Sequence, residues 1–213
     1  MKTEVDVTRD RRDSRWDAHR EQRRAELVAT TVEAIRAHGA GVGMDEVAAA
    51  AGTSKTAVYR HFRDRTGLYV AVCQAVAHVL VGQIRQATGR ALAEGPHAAV
   101  SAGIDAYLRL IESDREVYRF VVHRPLLTPG ADADPVTDLV TVIGDHICEV
   151  IRGYLPGAAA ARTWGHAVVG MVRGAADDWL ARPDGTTREE LGARLTHLAW
   201  TGLAGLPTEE ALP

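Results

Sequence analysis

The sequence predicts an all-α protein, on three observations. Apolar residues recur at helical spacing through most of the chain, strict apolar/polar alternation is absent, and aromatic residues, which strands favour, amount to 5%. Loop signals at Gly95-Pro96, Pro125, Pro129-Gly130, Pro135, Pro156-Gly157 and Pro183-Asp-Gly185 divide the periodic runs into separate helices. With 213 residues, 46% of them hydrophobic, the chain is long enough for one large or two modest cores.

Residues 1–13 are polar, mixed in charge and without an apolar period, and read as a flexible arm. Arg9, Arg11 and Arg12 suit such an arm to touch a nucleic-acid groove, although Asp6, Asp10 and Asp13 dilute the charge. Ser14-Arg-Trp-Asp17 is a capping-box-like start of a helix running to about His38, whose inward side is Leu27, Val28, Thr31, Val32, Ala34 and Ile35. Glycines 39, 41 and 43 end it. Met44, Val47, Ala48 and Ala51 then form one stripe of a short helix that stops at Gly52, the residue suited to a left-handed helix end. Ser54 is a good N-cap for the next helix. Its Ala57, Val58 and Phe62 can pack back on the first helix while Lys55, Thr56, Tyr59, Arg60 and His61 point elsewhere. Two short helices joined by a tight glycine-containing turn, the second exposing basic, hydroxyl and aromatic groups, describe a helix-turn-helix that reads DNA. The plainer reading is a helical hairpin with a solvated polar face.

The order GTSKTAVYRHFRDRTGLYVAV resembles the DNA-binding signature of the TetR family of bacterial transcription regulators, whose usual form is close to AGVSKGTLYRHFKSKEELF. This resemblance covers about the first third of the chain. It implies that Met44–Ala51 is the supporting helix, that Ser54–Phe62 is the recognition helix, and that Lys55, Thr56, Tyr59, Arg60 and His61 meet double-stranded operator DNA. The family's usual Lys at the start of the following helix is Arg65 here, which keeps the charge and can grip a phosphate with two donors. Thr66 and Gly67 replace the usual acidic residues, a departure expected to weaken the helix locally by up to about 1 kcal/mol at the glycine.

From Asp64 an unbroken helix continues through Leu68, Val72, Val76, Val79 and Ile84 to about Ala93, a natural strut between domains; in the family it links effector occupancy to the recognition helix. Further helices follow from Val100, Ile104, Tyr107, Leu108 and Ile111; from Val117, Phe120 and Val121; and from Leu139, Ile143, Ile147, Val150 and Ile151. Long helices over 158–182 and 187–206 close the chain. The expected organisation is an arm (1–13), a three-helix DNA-binding domain (14–65), and a helical effector-binding and dimerisation domain (66–213). Residues 1–65 carry 13 Lys and Arg against 11 Asp and Glu, and the remainder 12 against 17, so positive charge sits with the helix-turn-helix.

Enzyme chemistry finds no foothold: there is no phosphate-binding Gly-rich loop with Lys-Ser/Thr, no H-E-x-x-H and no C-x-x-C, so no catalytic residue, metal site or cofactor is expected. The nine histidines lack ligand-like spacing, although His123, His146 and His166, with the two cysteines, leave a metal- or redox-sensing protein or an enzyme using the His and Cys residues as the rival of another class. Cys73 and Cys148 read as reduced core thiols. No signal peptide is evident and no run is read as approaching the roughly 18 uncharged apolar residues of a membrane span, so the expected location is the cytoplasm.

A sensor needs a pocket instead. Trp164, Val168, Met171 and Ala175 recur at helical spacing, and with Tyr107, Phe120, Ile143 and Ile147 they are candidates to line an apolar cavity, each also an ordinary core residue. Within the TetR family, DREVYRF, VVGMVRGAADDWL and HLAWTGLAGLP are similar to effector domains of actinobacterial regulators of fatty-acid metabolism, which implies a hydrophobic small-molecule effector such as a long-chain acyl-CoA or fatty acid. An efflux-linked drug-sensing repressor is the alternative. Gly165, Gly170, Gly174, Gly192 and Gly202 give the last two helices small faces, where the family resemblance places a homodimer interface.

Overall fold

The computed structural model describes residues 4–123, 135–155 and 157–204, with side chains from Ala18 to Gly202 within those ranges. The loop signals at Pro125, Pro129-Gly130 and Pro156 and the expected helix end at Leu206 lie outside the described residues. Among the described residues are nine α-helices and no strand: α1 (Glu4–His38), α2 (Met44–Ala50), α3 (Lys55–Phe62), α4 (Arg65–Ala91), α5 (Pro96–Ser113), α6 (Arg115–His123), α7 (Pro135–Tyr154), α8 (Ala161–Ala181) and α9 (Arg188–Ala204). A 3-10 turn, Leu92–Glu94, separates α4 from α5, where Gly95 with φ 111° and Pro96 at the first helical position fix the break.

Two compact units form: Met1–Ala75 with Glu116–Asp132, and Val76–Arg115 with Ala133–Pro213. In the first, Leu27, Thr31, Ala34 and Ile35 of α1 are buried with Met44, Val47 and Ala48 of α2, Val58 and Phe62 of α3, and Leu68, Tyr69 and Val72 of α4. The buried Thr31 hydroxyl is satisfied by donating to Leu27 O at 2.7 Å. Helix α6 completes this unit from far along the chain. The Tyr69 hydroxyl donates to Val121 O at 2.6 Å, the Tyr69 and Phe120 ring centroids are 5.7 Å apart, and Glu116 Oε2 accepts the Ala40 N–H at 2.9 Å, just after the φ 88° turn at Gly39.

In the second unit, Leu80 and Ile84 of α4, Ala106 of α5 and Ile143 of α7 form one core cluster, and Cys148, Ile151 and Ala161 form another. Helix α8 lies so close to α7 that a β-carbon on Gly165 would stand 2.7 Å from Gly144 O and 2.9 Å from Cys148 N. Arg188 ties the start of α9 to α5 through Glu112, at 3.1 Å, and Asp105.

Three expectations differ from this structure. Helix α1 begins at Glu4 rather than Ser14, so most of the expected arm is helical; no glycine or proline interrupts residues 4–38. The division between units falls after Ala75 rather than Arg65, with α6 belonging to the N-terminal unit, because Tyr69 and Phe120 share a core that sequence spacing does not reveal. Helix α4 also has the length and composition of a membrane span, Thr66–Ile84 holding no charged residue. Its apolarity has another use in this chain: Leu68, Tyr69 and Val72 fill the core of the first unit, and Leu80 and Ile84 that of the second.

Candidate nucleic-acid interface and effector site

The local signals around α3 act as their chemistry dictates. Gly52 closes α2 with φ 58°. Ser54 caps α3, its Oγ accepting the Ala57 N–H at 3.2 Å. Val58 and Phe62 face inward, while Lys55, Thr56, Arg60 and Arg65 are exposed and Tyr59 and His61 half-buried, so all six candidate DNA contacts keep at least part of their surface accessible.

Residues outside the sequence motif hold this surface. Arg24 of α1 donates from Nη1 to His61 O at 2.7 Å, capping a carbonyl of the last turn of α3, and its guanidinium lies 4.5 Å from the Phe62 ring centroid. Asp45, in the first turn of α2, brings its carboxylate to 2.8 Å from Lys55 Nζ, and this hydrogen bond raises the Lys55 ammonium above its ordinary range. Burial, aided by Arg60, Arg23 and Arg24, pushes the His61 imidazole below its usual value, so near neutral pH it offers one donor and one acceptor rather than a positive charge. Nothing in the helix-turn-helix motif points to Arg24, which acts across a sequence separation of 37 residues.

The candidate effector residues distribute differently. Tyr107, Ile143 and Ile147 gather with Leu80, Ile84, Ala106, Leu110, Leu139 and Val169. Trp164 packs on the neighbouring cluster of Cys148, Ile151 and Ala161, which shares Ile147 with the first. Val168 and Met171 are half-buried on α8, whose fully buried residues are Ala161, Gly165, Val172, Ala176 and Leu180. Phe120 lies in the other unit, against Tyr69. The two histidines described on α7 and α8 make separate contacts: His146 Nε2 is 3.0 Å from Thr88 Oγ1, and His166 Nε2 is 3.3 Å from Asp145 Oδ1. A groove of about 410 Å³ opens in the N-terminal unit between α1 and the start of α4, floored by Val28, Ala29, Val32 and Ala71.

On the last two helices the glycines divide. Gly165 packs onto α7 and Gly192 stands with its β-position 3.7 Å from Leu108, whereas β-carbons at Gly170, Gly174 and Gly202 would meet nothing within 4 Å. Leu198, 56% exposed, lies on α9 with Gly202.

Comparison with known proteins matches both parts of the chain. Residues 27–72 match the family model described as bacterial regulatory proteins, tetR family, and residues 83–212 the model for a tetracyclin repressor-like C-terminal domain. An uncharacterized HTH-type transcriptional regulator of Mycobacterium tuberculosis is 31% identical over 216 residues, spanning 95% of this chain and 86% of that protein. The HTH-type transcriptional activator FasR of Mycolicibacterium smegmatis is 28% identical over 190 residues, 88% of this chain and 86% of its own length. Among solved structures, the fatty acid degradation regulator FadR of Bacillus halodurans superposes with a TM-score of 0.67 at 16% identity, over 86% of this chain and 99% of that one, a likeness of fold. With both family models and a full-length relative in agreement, the chain belongs to the TetR family of DNA-binding transcription regulators.

Proposed function

We propose that this regulator is a homodimeric repressor that reads its operator through Lys55, Thr56, Tyr59, Arg60, His61 and Arg65, and whose DNA affinity responds to an elongated apolar ligand in the C-terminal unit. A long-chain acyl-CoA or fatty acid is the favoured effector, in keeping with the sequence likeness of this region to regulators of fatty-acid metabolism. The observation that carries the reading is the cluster of Leu80, Ile84, Tyr107, Ile143 and Ile147: α4, whose first residues belong to the DNA-binding unit, shares an apolar core with α5 and α7. Each methylene buried there contributes about 0.8 kcal/mol, so an acyl chain supplies ample binding energy if the cluster opens to admit it. A coupling of about 1–3 kcal/mol then shifts operator affinity roughly 5- to 150-fold.

A second reading, ligand-dependent activation, is favoured by the name of the FasR relative. The test selects a duplex from a random pool with the purified protein and titrates it with saturated acyl-CoAs of increasing length, by anisotropy and calorimetry. Affinity that falls as the chain lengthens supports ligand-induced release and affinity that rises supports ligand-strengthened binding, while transcription from a promoter carrying the selected site, lowered or raised by the protein, separates repressor from activator. A response without chain-length dependence would remove the acyl effector. Ile147→Trp, at the residue common to both clusters, should blunt the response to long chains and leave unliganded DNA affinity nearly unchanged.

A further inference from the structure

The departure from the family signature at Gly67 has a geometric cause. A β-carbon at this position would lie 1.9 Å from the backbone oxygen of Phe62, the last residue of α3, and 3.1 Å from its carbonyl carbon. The obstacle is backbone, so no rotamer change relieves it. Arg63 turns that oxygen toward α4: it holds φ 68° and ψ −55°, and the Asp64 N–H donates back to Phe62 O across 2.8 Å. A three-residue turn of this hand is strained for any residue with a β-carbon. Asp64 then caps the first turn of α4, Oδ1 accepting the Gly67 N–H at 2.7 Å. Helix α3 therefore abuts α4 backbone on backbone. Phe62 on one side and Leu68 and Tyr69 on the other are anchored in the core, and Arg24 holds the neighbouring His61 carbonyl.

We propose that Gly67 is a positioning residue for operator recognition: by admitting the Phe62 carbonyl it sets the angle at which α3 stands on α4, and hence which base edges the face from Lys55 to His61 meets. The proposal rests on α3 being the recognition helix. Phosphate contacts tolerate a change of tilt because long basic side chains adjust, whereas base contacts need the helix seated in the groove at a fixed depth and angle. A β-carbon at position 67 therefore separates sequence reading from general affinity.

The experiment uses the full chain, a duplex selected from a random pool by the wild type, and a scrambled duplex of equal length, both measured by anisotropy. Gly67→Ala and Gly67→Glu should lower the selected-to-scrambled affinity ratio at least about tenfold while changing affinity for the scrambled duplex far less, as loss of base contacts does. A role confined to stability would lower both affinities together or neither. Arg63→Gly adds no atoms and lets the turn open; it should lower the ratio in the same sense, and the charge it removes weakens both duplexes alike. Should Gly67→Ala fail to show a folded melting transition, Arg63→Gly alone decides. An unchanged ratio in the folded variants overturns the proposal. Independently, Lys55→Ala and Thr56→Val variants that bind the selected duplex as the wild type does would overturn the assignment of α3 itself.

Discussion

Lys55 Nζ lies 2.8 Å from Asp45 Oδ1, so the ammonium at the start of α3 is already paired with a carboxylate of α2. Both groups are solvent-exposed, and the pair itself adds little to stability. If α3 reads the operator as proposed, a phosphate must compete with Asp45 for the same cation. Lys55→Ala and Arg65→Ala should weaken binding to every sequence and each reduce the salt slope by about one unit, as expected when one counterion fewer is released. Asp45→Asn should act in the opposite direction, strengthening binding to random duplexes. Unchanged affinity and slope in all three would place the DNA surface elsewhere.

Thr56 is exposed on the same face but carries no charge. Its hydroxyl can bond a base edge and its methyl can meet a thymine methyl. Repeating the random-pool selection with Thr56→Val should return a different preferred base at one position of each half-site, while the salt slope stays that of the wild type. An identical consensus would show that Thr56 does not read bases.

Gly170 tests assembly. Within one chain its β-position is open, so the carboxylate of Gly170→Glu is solvated and the monomer should keep its helical content. If α8 and α9 meet a second copy there, two such groups are buried against each other across the two-fold axis, and an unpaired buried carboxylate is strongly unfavourable. Light scattering should find a dimeric wild type and a monomeric variant that still melts cooperatively. A stable dimer in the variant would move the interface to another face.

Acidification should strike at His146. Its Nε2 faces Thr88 Oγ1, whose own proton goes to Ile84 O at 2.9 Å, an arrangement that casts the imidazole as donor. Burial lowers its pKa from the ordinary 6.5, with Arg85 adding to the fall and Glu149 opposing it. The unfolded imidazole takes up a proton more readily, so this group stabilises the fold above pH 6.5, and the contribution is lost as pH falls from there through the lower folded value. Urea midpoints measured from about pH 7.5 to 5 should drop more steeply for the wild type than for His146→Gln, and equal slopes would contradict the assignment.

What the sequence made legible is what short-range chemistry decides. The supporting helix, the turn at Gly52, the Ser54 cap and the inward Val58 and Phe62 all follow from residues within four positions of one another. The place of α6 did not, because it depends on Tyr69 with Val121 and on Ala40 with Glu116, contacts across 52 and 76 residues. The face of α8 misled for a different reason. Trp164, Val168, Met171 and Ala175, the candidates for a cavity lining, are only half-buried, whereas the buried line of α8 is Ala161, Gly165, Val172, Ala176 and Leu180, with Gly165 letting α7 come close. Gly67 could be noticed as a departure from the family form, but only the Phe62 carbonyl explains it.

The hydroxyl of Tyr69 bonded to the carbonyl of Val121 has a consequence for synthesis as well as for structure. As the chain leaves the ribosome, the helix-turn-helix emerges whole long before α6 is made, and until then the buried ring of Tyr69 lacks Phe120, while the Ala40 amide lacks the Glu116 carboxylate. The DNA-reading head therefore cannot reach its final packing during its own translation; it waits through about fifty further residues, a long loop closure that slows folding and leaves apolar surface uncovered meanwhile. A fragment ending at Ala91 would remain in that unfinished state permanently.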